Sequence, residues 1–276
     1  MIFPPRFLKN CKNTLCIPLN LFYQKSFTSG IIPQAYKNQL IIPLFKKGLK
    51  TKPVNYRPIS LMAHTIKIFE QILRKKLMQY FEINNLFNHS QHGFRNKKSC
   101  STQLLSHVHN ILLNATNGND TDCIYVDFEK AFDKVDHALL IKKLKSYHVP
   151  DRYLKWINNF LTNRFQTVYL NDHYSYSTPV LSGVGQGTIL APFLFIVFIN
   201  DLPDVIKKSK ILTFADDTKI VLEISSANDT EKLQKDLNSI ISWSDTNNMK
   251  LNETKFECIS HKLNSENDNQ NIFEVT

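Results

Sequence analysis

The sequence predicts an α+β fold arranged around an antiparallel sheet. Strand-like and helix-like segments interleave irregularly along the 276 residues, unlike the regular alternation typical of a doubly wound parallel sheet. Residues 211–214 and 218–224 are apolar arms around the polar tip Ala215-Asp216-Asp217, which predicts a central hairpin. The chain is 42% hydrophobic and 21% charged, an ordinary balance for a globular protein with lobes around one core.

Helical periodicity dominates the first half of the chain. Ile66, Phe69, Leu73 and Leu77 recur at helical spacing, so they predict an amphipathic helix. Residues 1–50 are predicted to be irregular apart from one helix and one strand. The elements predicted in this half are a helix at 19–29, a strand at 39–45, a helix at 64–82, a helix marked by 104–112 and a strand at 123–128.

Capping and turn residues delimit the elements of the second half. Asp136 is of the residue type that caps a helix N-terminus. The glycines of Gly183-Val-Gly-Gln-Gly187 predict a turn that opens an apolar helix. The predicted elements are helices from Asp136 to about Tyr147 and from Pro150, a strand at 165–170, a helix around 189–200, the hairpin, a helix around 233–241 and a strand at 256–260.

The charge balance favours a polyanionic partner. Lys and Arg number 34 against 24 Asp and Glu, so the formal net charge is +10. An excess of this size is typical of nucleic-acid-binding proteins. From the net charge alone, the alternative to a nucleic-acid partner is a positive charge that serves only to keep the protein soluble.

Cysteine, histidine and hydropathy patterns indicate an intracellular chain without a membrane segment. The five cysteines are scattered with no CxxC pair, so no zinc site is suggested, and Cys123 and Cys258 are expected to be buried apolar residues. His107 and His109 would lie on different faces of a helix, which favours structural or surface roles. The apolar run 189–199 contains Pro192 and is shorter than the roughly 20 residues of a membrane span.

Two acidic segments are the strongest candidates for chemistry. Asp127 ends the apolar strand pattern that begins at Cys123, and Asp216 and Asp217 form the tip of the predicted hairpin. If the fold brings these ends together, three carboxylates offer the oxygen ligands that divalent cations such as Mg²⁺ prefer. Two such ions about 3.5–4 Å apart serve phosphoryl-transfer chemistry. A solvent-exposed strand end and a tight turn, which favours Asp, are the alternatives.

Basic and glycine-rich segments add candidates for phosphate binding. Lys46, Lys47 and Arg57 lie in an extended basic stretch that is either a triphosphate clamp or a solvated loop. Gln186 lies between two glycines that permit close approach of a ligand to the backbone. As a bare pattern, the glycine turn is only weak evidence of a site.

Six motifs occur in one order along the chain: Asn55-Tyr-Arg-Pro-Ile-Ser-Leu61, Gln91-His-Gly-Phe-Arg95, Val126-Asp-Phe-Glu-Lys-Ala-Phe-Asp-Lys-Val-Asp-His137, Ser182-Gly-Val-Gly-Gln-Gly-Thr-Ile-Leu190, Phe198-Ile-Asn-Asp-Leu-Pro203 and Phe214-Ala-Asp-Asp-Thr218. In sequence and order they resemble the reverse transcriptase domain of LINE-type (non-LTR) retrotransposons, especially the jockey-like group. The resemblance covers roughly residues 1–260.

The resemblance implies a right-hand polymerase fold and RNA-directed DNA polymerase activity. It places a fingers-like region at 1–115, the palm at 116–260 and a polar tail at 261–276. The expected partners are an RNA template, a DNA primer and dNTPs, with no membrane. By the same resemblance, the chain would work in the cytoplasm and the nucleus.

The resemblance also assigns a catalytic set. Asp127, Asp216 and Asp217 are implied to hold two Mg²⁺ ions, for which Mn²⁺ can substitute, and the backbone carbonyl of Phe128 is implied to add a ligand. Lys255 matches a lysine that protonates the departing pyrophosphate.

A second set is implied to bind the incoming dNTP. Phe132 falls at the steric-gate position, where an aromatic ring excludes the ribose 2′-hydroxyl, and Gln186 falls in the nucleotide pocket. Arg57 and one of Lys46 and Lys47 fall where the fingers bind the triphosphate.

The chain departs from the family pattern in two residues and in extent. Gly185 stands where proline is usual, which is expected to loosen the turn, and Ala191 stands where glycine is usual. The upstream endonuclease and the downstream thumb are missing, so the chain is expected to be a piece of a longer element protein. The alternatives are a non-catalytic relic that binds nucleic acid electrostatically and, more weakly, a palm-type nucleotide cyclase.

Overall fold

The computed structural model describes residues 4–263. The helices are α1 (Pro5–Asn10), α2 (Lys12–Ser29), α3 (His64–Ile83), α4 (Cys100–Thr116), α5 (Ala131–Lys134), α6 (His137–Ser146), α7 (Asp151–Leu161), α8 (Ala191–Phe198) and α9 (Ala227–Thr246). The strands are β1 (Asn38–Phe45), β2 (Tyr56–Leu61), β3 (Asp120–Val126), β4 (Arg164–Leu170), β5 (His173–Tyr174), β6 (Thr178–Val180), β7 (Lys210–Phe214), β8 (Asp217–Ile224) and β9 (Glu257–His261). Residues 264–276 of the predicted polar tail lie outside the described part.

The predicted elements are confirmed except near the N-terminus, and the sequence did not predict the strands β2, β5 and β6 or the short helix α5. The prediction of mostly irregular structure over residues 1–50 is wrong, because α1 and α2 occupy much of it. Pro18 lies inside α2 and weakens the helical pattern, since proline removes a backbone hydrogen bond. The helix is held by packing instead: Tyr23 stacks on Phe69 at 4.7 Å, and Trp156 Nε1 donates to Ser26 Oγ at 3.1 Å.

The described chain forms two units, each discontinuous in sequence. Within residues 4–263, unit 1 comprises residues 4–86 and 135–194, and unit 2 comprises residues 87–134 and 195–263. The assignment of fingers and palm to 1–115 and 116–260 is a functional division and stays a prediction. Within 4–263, every helix is too short or too polar to cross a bilayer.

The sheet of unit 1 is mixed. Its order is β2-β1-β4-β5, and β6 also pairs with β4. β1 runs antiparallel to β2 and parallel to β4. The sequence does not reveal β2 as a strand because Pro58 interrupts its pattern; β5 and β6 are only two and three residues long.

A buried acid and a buried base lie in the core of unit 1. Glu70 of α3 is fully buried, and its Oε2 accepts from the backbone N–H groups of Ile189 and Leu190 at 2.8 and 3.0 Å. Burial raises the pKa of Glu70 to about 7, although these bonds and the charges of Lys67 and Arg164 oppose the rise. Arg164 donates to Gln39 at 2.7 Å, and burial lowers its pKa to about 10.

Because of Glu70, we expect the free energy of unfolding to fall as the pH rises through about 7. The folded chain binds the Glu70 proton more tightly than the unfolded chain, where the pKa is about 4.3. This stabilisation is therefore complete below about pH 4 and is lost across neutral pH. Thermal melts between about pH 5 and 8 should show a flatter pH dependence for Glu70→Gln than for the wild type. Glu231→Gln, an exposed change on α9, is the control, and equal slopes in all three proteins would contradict the assignment.

The sheet of unit 2 is antiparallel throughout, as the sequence predicts. Its order is β7-β8-β3-β9, and β7 and β8 form the predicted hairpin. Helix α4 lies against one face, where Asn114 Nδ2 donates to Thr121 Oγ1 of β3 at 3.0 Å. A capping box between Ser99 and Thr102 begins this helix. The hairpin and β3 thus bring both acidic segments to one end of the sheet.

Candidate active site

The three carboxylates lie at one edge of the unit 2 sheet. Val126, the last residue of β3, pairs with Thr218 of β8, so Asp127 and Asp217 follow at neighbouring positions of adjacent strands. Asp216 lies in the β7–β8 turn, next to Ala215, whose φ is 55°. The fold therefore brings the two acidic segments together, which was the condition for a site made of these three carboxylates.

The electrostatics of this edge show that negative charge is concentrated there. Burial, followed by the charges of Asp217 and Asp127, raises the pKa of Asp216 above its ordinary value. Burial and the charge of Asp127 raise the pKa of Asp217 as well, while the Lys255 cation opposes both shifts. Ionised carboxylates that repel one another in this way bind a cation favourably.

Lys255 pairs directly with the first carboxylate. Its Nζ lies 2.5 Å from Asp127 Oδ2, and about half of its side chain is exposed. The backbone N–H of Asn252 donates to the Asp127 carbonyl at 2.9 Å, and Phe128 forms a β-bridge with Leu251. Residues 251–255, which precede β9, are thus hydrogen-bonded to the backbone that follows β3. This contact places Lys255 beside the acidic edge.

The donor set fits a hard divalent cation in chemistry. Its three carboxylates supply oxygen ligands, and burial together with the charge of Asp127 raises the pKa of Asp216 and of Asp217, so a cation would stabilise their ionised forms. Within the described residues, however, the three do not form a set with all ligand oxygens inside 4.8 Å of one another. Asp127 is instead paired with Lys255. Binding of an ion would therefore draw the carboxylates together and compete with this ion pair.

The backbone that carries Asp216 is held by a residue outside the predicted site. The Gln91 side chain is buried, and its Oε1 accepts from the N–H groups of Gly93 and Ala215 at 2.7 and 2.9 Å. Its Nε2 donates to the Ala215 carbonyl at 3.3 Å. A Cβ on Gly93 would lie 2.3 Å from the Ala215 nitrogen. The Gln91–Arg95 motif was the only sequence signal of this support, and its partner is 124 positions away.

Phe132 and Phe128 occupy different surroundings within unit 2. Phe132 is half-buried and stacks on Phe195 at 4.2 Å, with the edge of Phe94 at 6.3 Å. The Phe128 side chain is buried and meets Trp243 at 6.1 Å. Stacking fixes the orientation of the Phe132 ring, which a rigid wall for a ligand requires. The Phe128 side chain is buried, so only the backbone carbonyl of this residue is suited to bind a ligand.

The other predicted nucleotide-binding residues belong to unit 1. Lys46 and Lys47 are exposed at the end of β1, where the Lys46 N–H donates to the Asn55 carbonyl at 2.9 Å. Arg57 is exposed on β2, opposite Leu44. All three side chains are thus accessible to solvent, as cations that bind a triphosphate must be. Their role in triphosphate binding stays a prediction.

The turn that carries Gln186 packs against β2. The Ser60 N–H donates to the Gln186 carbonyl at 2.7 Å. A Cβ on Gly185 would lie 2.9 Å from Arg164 Nη2 and 3.3 Å from Ser60 Oγ. A side chain at 185 would therefore crowd the buried Arg164 guanidinium, and the neighbouring Gln186 is anchored through its backbone carbonyl.

Comparison with known proteins agrees with this arrangement. A family model described as reverse transcriptase (RNA-dependent DNA polymerase) matches residues 45–268. The RNA-directed DNA polymerase from mobile element jockey of Drosophila melanogaster is 30% identical over 86% of the chain. The probable RNA-directed DNA polymerase from transposon BS of the same species is 28% identical over 86%. The chain spans 27% of the length of each of these relatives.

A solved structure shares the fold at low sequence identity. The structure of apo telomerase from Candida tropicalis, truncated from the C-terminal domain, matches with a TM-score of 0.60 at 12% identity. The match covers 92% of this chain and 56% of that one.

Proposed function

Because this chain belongs to the reverse transcriptase family, we propose that it is the polymerase region of a non-LTR retrotransposon protein and adds dNTPs to a primer 3′-hydroxyl on an RNA template. The observation that carries the proposal is the convergence of Asp127, Asp216 and Asp217 at one sheet edge, where burial and the charge of Asp127 raise the pKa of the last two. The net charge of +10 supports a nucleic-acid partner.

In this proposal the three aspartates and the Phe128 carbonyl would hold two Mg²⁺ ions, with Mn²⁺ as a substitute. Bound there, the ions would lower the pKa of the primer hydroxyl and neutralise charge on the triphosphate. The chain's own residues position the reactants. Lys255, half exposed beside Asp127, would donate a proton to the departing pyrophosphate.

The proposed nucleotide-binding residues would each contact a different part of the incoming dNTP. Arg57 and one of Lys46 and Lys47 would bind the triphosphate, for which exposed guanidinium and ammonium groups are suited. Gln186 would line the nucleotide pocket. The Phe132 ring would exclude a 2′-hydroxyl, and its stack on Phe195 supports this role because it keeps the ring in place.

Primer extension on an annealed RNA template, with Mg²⁺ and dNTPs, tests the proposal. We expect extension that requires template, dNTP and metal. The rival is electrostatic binding without catalysis, which predicts a salt-sensitive template complex and no added nucleotide at any metal concentration. Absence of extension from a folded, template-bound chain would contradict catalysis by this chain.

Replacement of the proposed gate should change sugar selection. We expect Phe132→Ala to raise the use of ribonucleotides relative to deoxyribonucleotides by about 10-fold or more, since the 2′-hydroxyl no longer meets the ring. The measurement is the ratio of kcat/KM for a dNTP and the matching rNTP. Phe94→Leu, which changes a neighbour of the ring but leaves Phe132 itself, should keep the wild-type ratio. An unchanged ratio in Phe132→Ala would remove the assignment.

A further inference from the structure

Two histidines and a cysteine meet inside unit 2, apart from the acidic edge. His107 comes from α4, Cys123 from β3 and His261 from the end of β9. One ligand atom from each residue lies within 4.8 Å of the other two. Imidazole nitrogen and thiolate sulfur are the donors that Zn²⁺ prefers, at about 2.0–2.1 and 2.3 Å. A contraction of at most about 1.5 Å between the ligand atoms would therefore complete three coordination bonds.

Unsatisfied nitrogens point to a missing partner in this cluster. His107 is only 5% exposed, and its Nδ1 is buried without a hydrogen-bond partner. His261 Nε2 is likewise buried and without a partner. A buried polar atom left in this state destabilises the fold, so two of them in one small cluster need an explanation. A metal ion would satisfy both.

The surroundings of His107 are those of a metal ligand held in position. Its other nitrogen, Nε2, lies 3.2 Å from the Tyr125 hydroxyl, which can orient the ring in the manner of an outer-shell partner. Burial first, then Lys219 and His261, lowers the pKa of His107 to about 4, so the imidazole is neutral as metal binding requires. Burial raises the pKa of the Cys123 thiol to about 12, so coordination would release its proton to solvent.

We propose that His107, Cys123 and His261 form a zinc site that fastens the edge strand β9 and helix α4 to β3. The site completes its coordination with water or another small ligand, because it supplies three protein donors. β9 is the last strand of its sheet and follows the segment that carries Lys255. The site would thus stabilise unit 2 toward the start of β3, where His261 pairs with Thr121. The inference is independent of the polymerase proposal, since it concerns metal binding and stability.

Metal binding to the untagged full chain tests the site. We expect one Zn²⁺ per chain and a Tm increase of about 5–10 °C at a zinc concentration about 100-fold above Kd. Co²⁺ in place of Zn²⁺ should give the thiolate-to-cobalt charge-transfer absorption. Cys123→Ser and His261→Gln should lose the Tm increase, and Cys123→Ser should lose the charge-transfer band.

Cys258→Ser is the matched control. Cys258 pairs with Ile124 in the same two strands, so its side chain lies on the sheet face opposite to that of Cys123. This variant should keep the band and the Tm increase. A band that survives Cys123→Ser would belong to exposed thiols such as Cys16 or Cys100 and would overturn the proposal. If Cys123→Ser does not fold, His261→Gln at the sheet edge decides, and an unchanged zinc response there also overturns it.

Discussion

Asp216→Asn is expected to abolish nucleotide addition and, at neutral pH, to raise the melting temperature of the chain. Activity should fall by at least about 10²–10³-fold, the loss typical of removing one preorganised electrostatic group from an active site. The proposed site would lose a charged oxygen ligand, while asparagine keeps nearly the same shape. Primer extension measures the first effect, and thermal melting without divalent metal measures the second.

The gain in stability follows from the sign of the pKa shift. Burial, Asp217 and Asp127 raise the pKa of Asp216, so the ionised carboxylate is less favourable in the folded chain than in the unfolded chain. A group of this kind destabilises the fold above its folded pKa and ceases to do so below about pH 4. The difference in Tm between Asp216→Asn and the wild type should therefore shrink as the pH falls toward 4.

An exposed aspartate of the same unit provides the control for Asp216→Asn. Asp245 lies on α9 and is exposed, so Asp245→Asn should leave both activity and Tm close to wild type. Wild-type activity in Asp216→Asn would contradict the proposed catalytic role. A lower Tm in the absence of metal would contradict the account of charge repulsion, independently of the catalytic result.

The hairpin and the helix cap were predictable because their sequence patterns lie within a few neighbouring residues. The hairpin with its acidic tip follows from apolar arms around Ala215-Asp216-Asp217, and β7 and β8 match it closely. The Asp136 cap is confirmed, since its Oδ1 accepts from the Leu139 N–H at 2.9 Å. Helix α2 was underestimated because Pro18 breaks its pattern and tertiary contacts of Tyr23 hold it.

Contacts between distant parts of the chain were not predictable from one sequence. The Gln91 side chain hydrogen-bonds to the backbone N–H and carbonyl of Ala215. Every residue type except proline has both groups, so the residue at position 215 does not indicate this contact. The residues of the proposed zinc site, His107, Cys123 and His261, come from a helix and two strands, so their spacing follows no zinc motif. The sequence suggests no zinc site because it lacks a CxxC pair, and that pattern is a signal only of sites whose ligands are close in sequence.

Gly93→Ala should reduce the rate of nucleotide addition by about 10²-fold, because a displacement of about 1 Å at a catalytic turn has an effect of this size. The new Cβ would lie 2.3 Å from the Ala215 nitrogen, and backbone on both sides must move to relieve the contact. Ala215 is held at a φ of 55° directly before Asp216. The movement therefore displaces the carboxylate itself, and overpacking should lower the free energy of unfolding by about 1–3 kcal/mol.

The Mg²⁺ dependence separates mispositioning from simple loss of stability. If the turn positions Asp216 for the cation, Gly93→Ala should need more Mg²⁺ for half-maximal rate at a temperature where it is fully folded. Gly118→Ala is the matched control, since Gly118 has a φ of 78° but nothing within 4 Å of its Cβ position. That variant should lose some stability from backbone strain and keep the wild-type rate and Mg²⁺ requirement. Equal Mg²⁺ requirements in Gly93→Ala and the wild type would show that the Gln91–Gly93 contact supports the fold without positioning the Asp216 carboxylate for a cation.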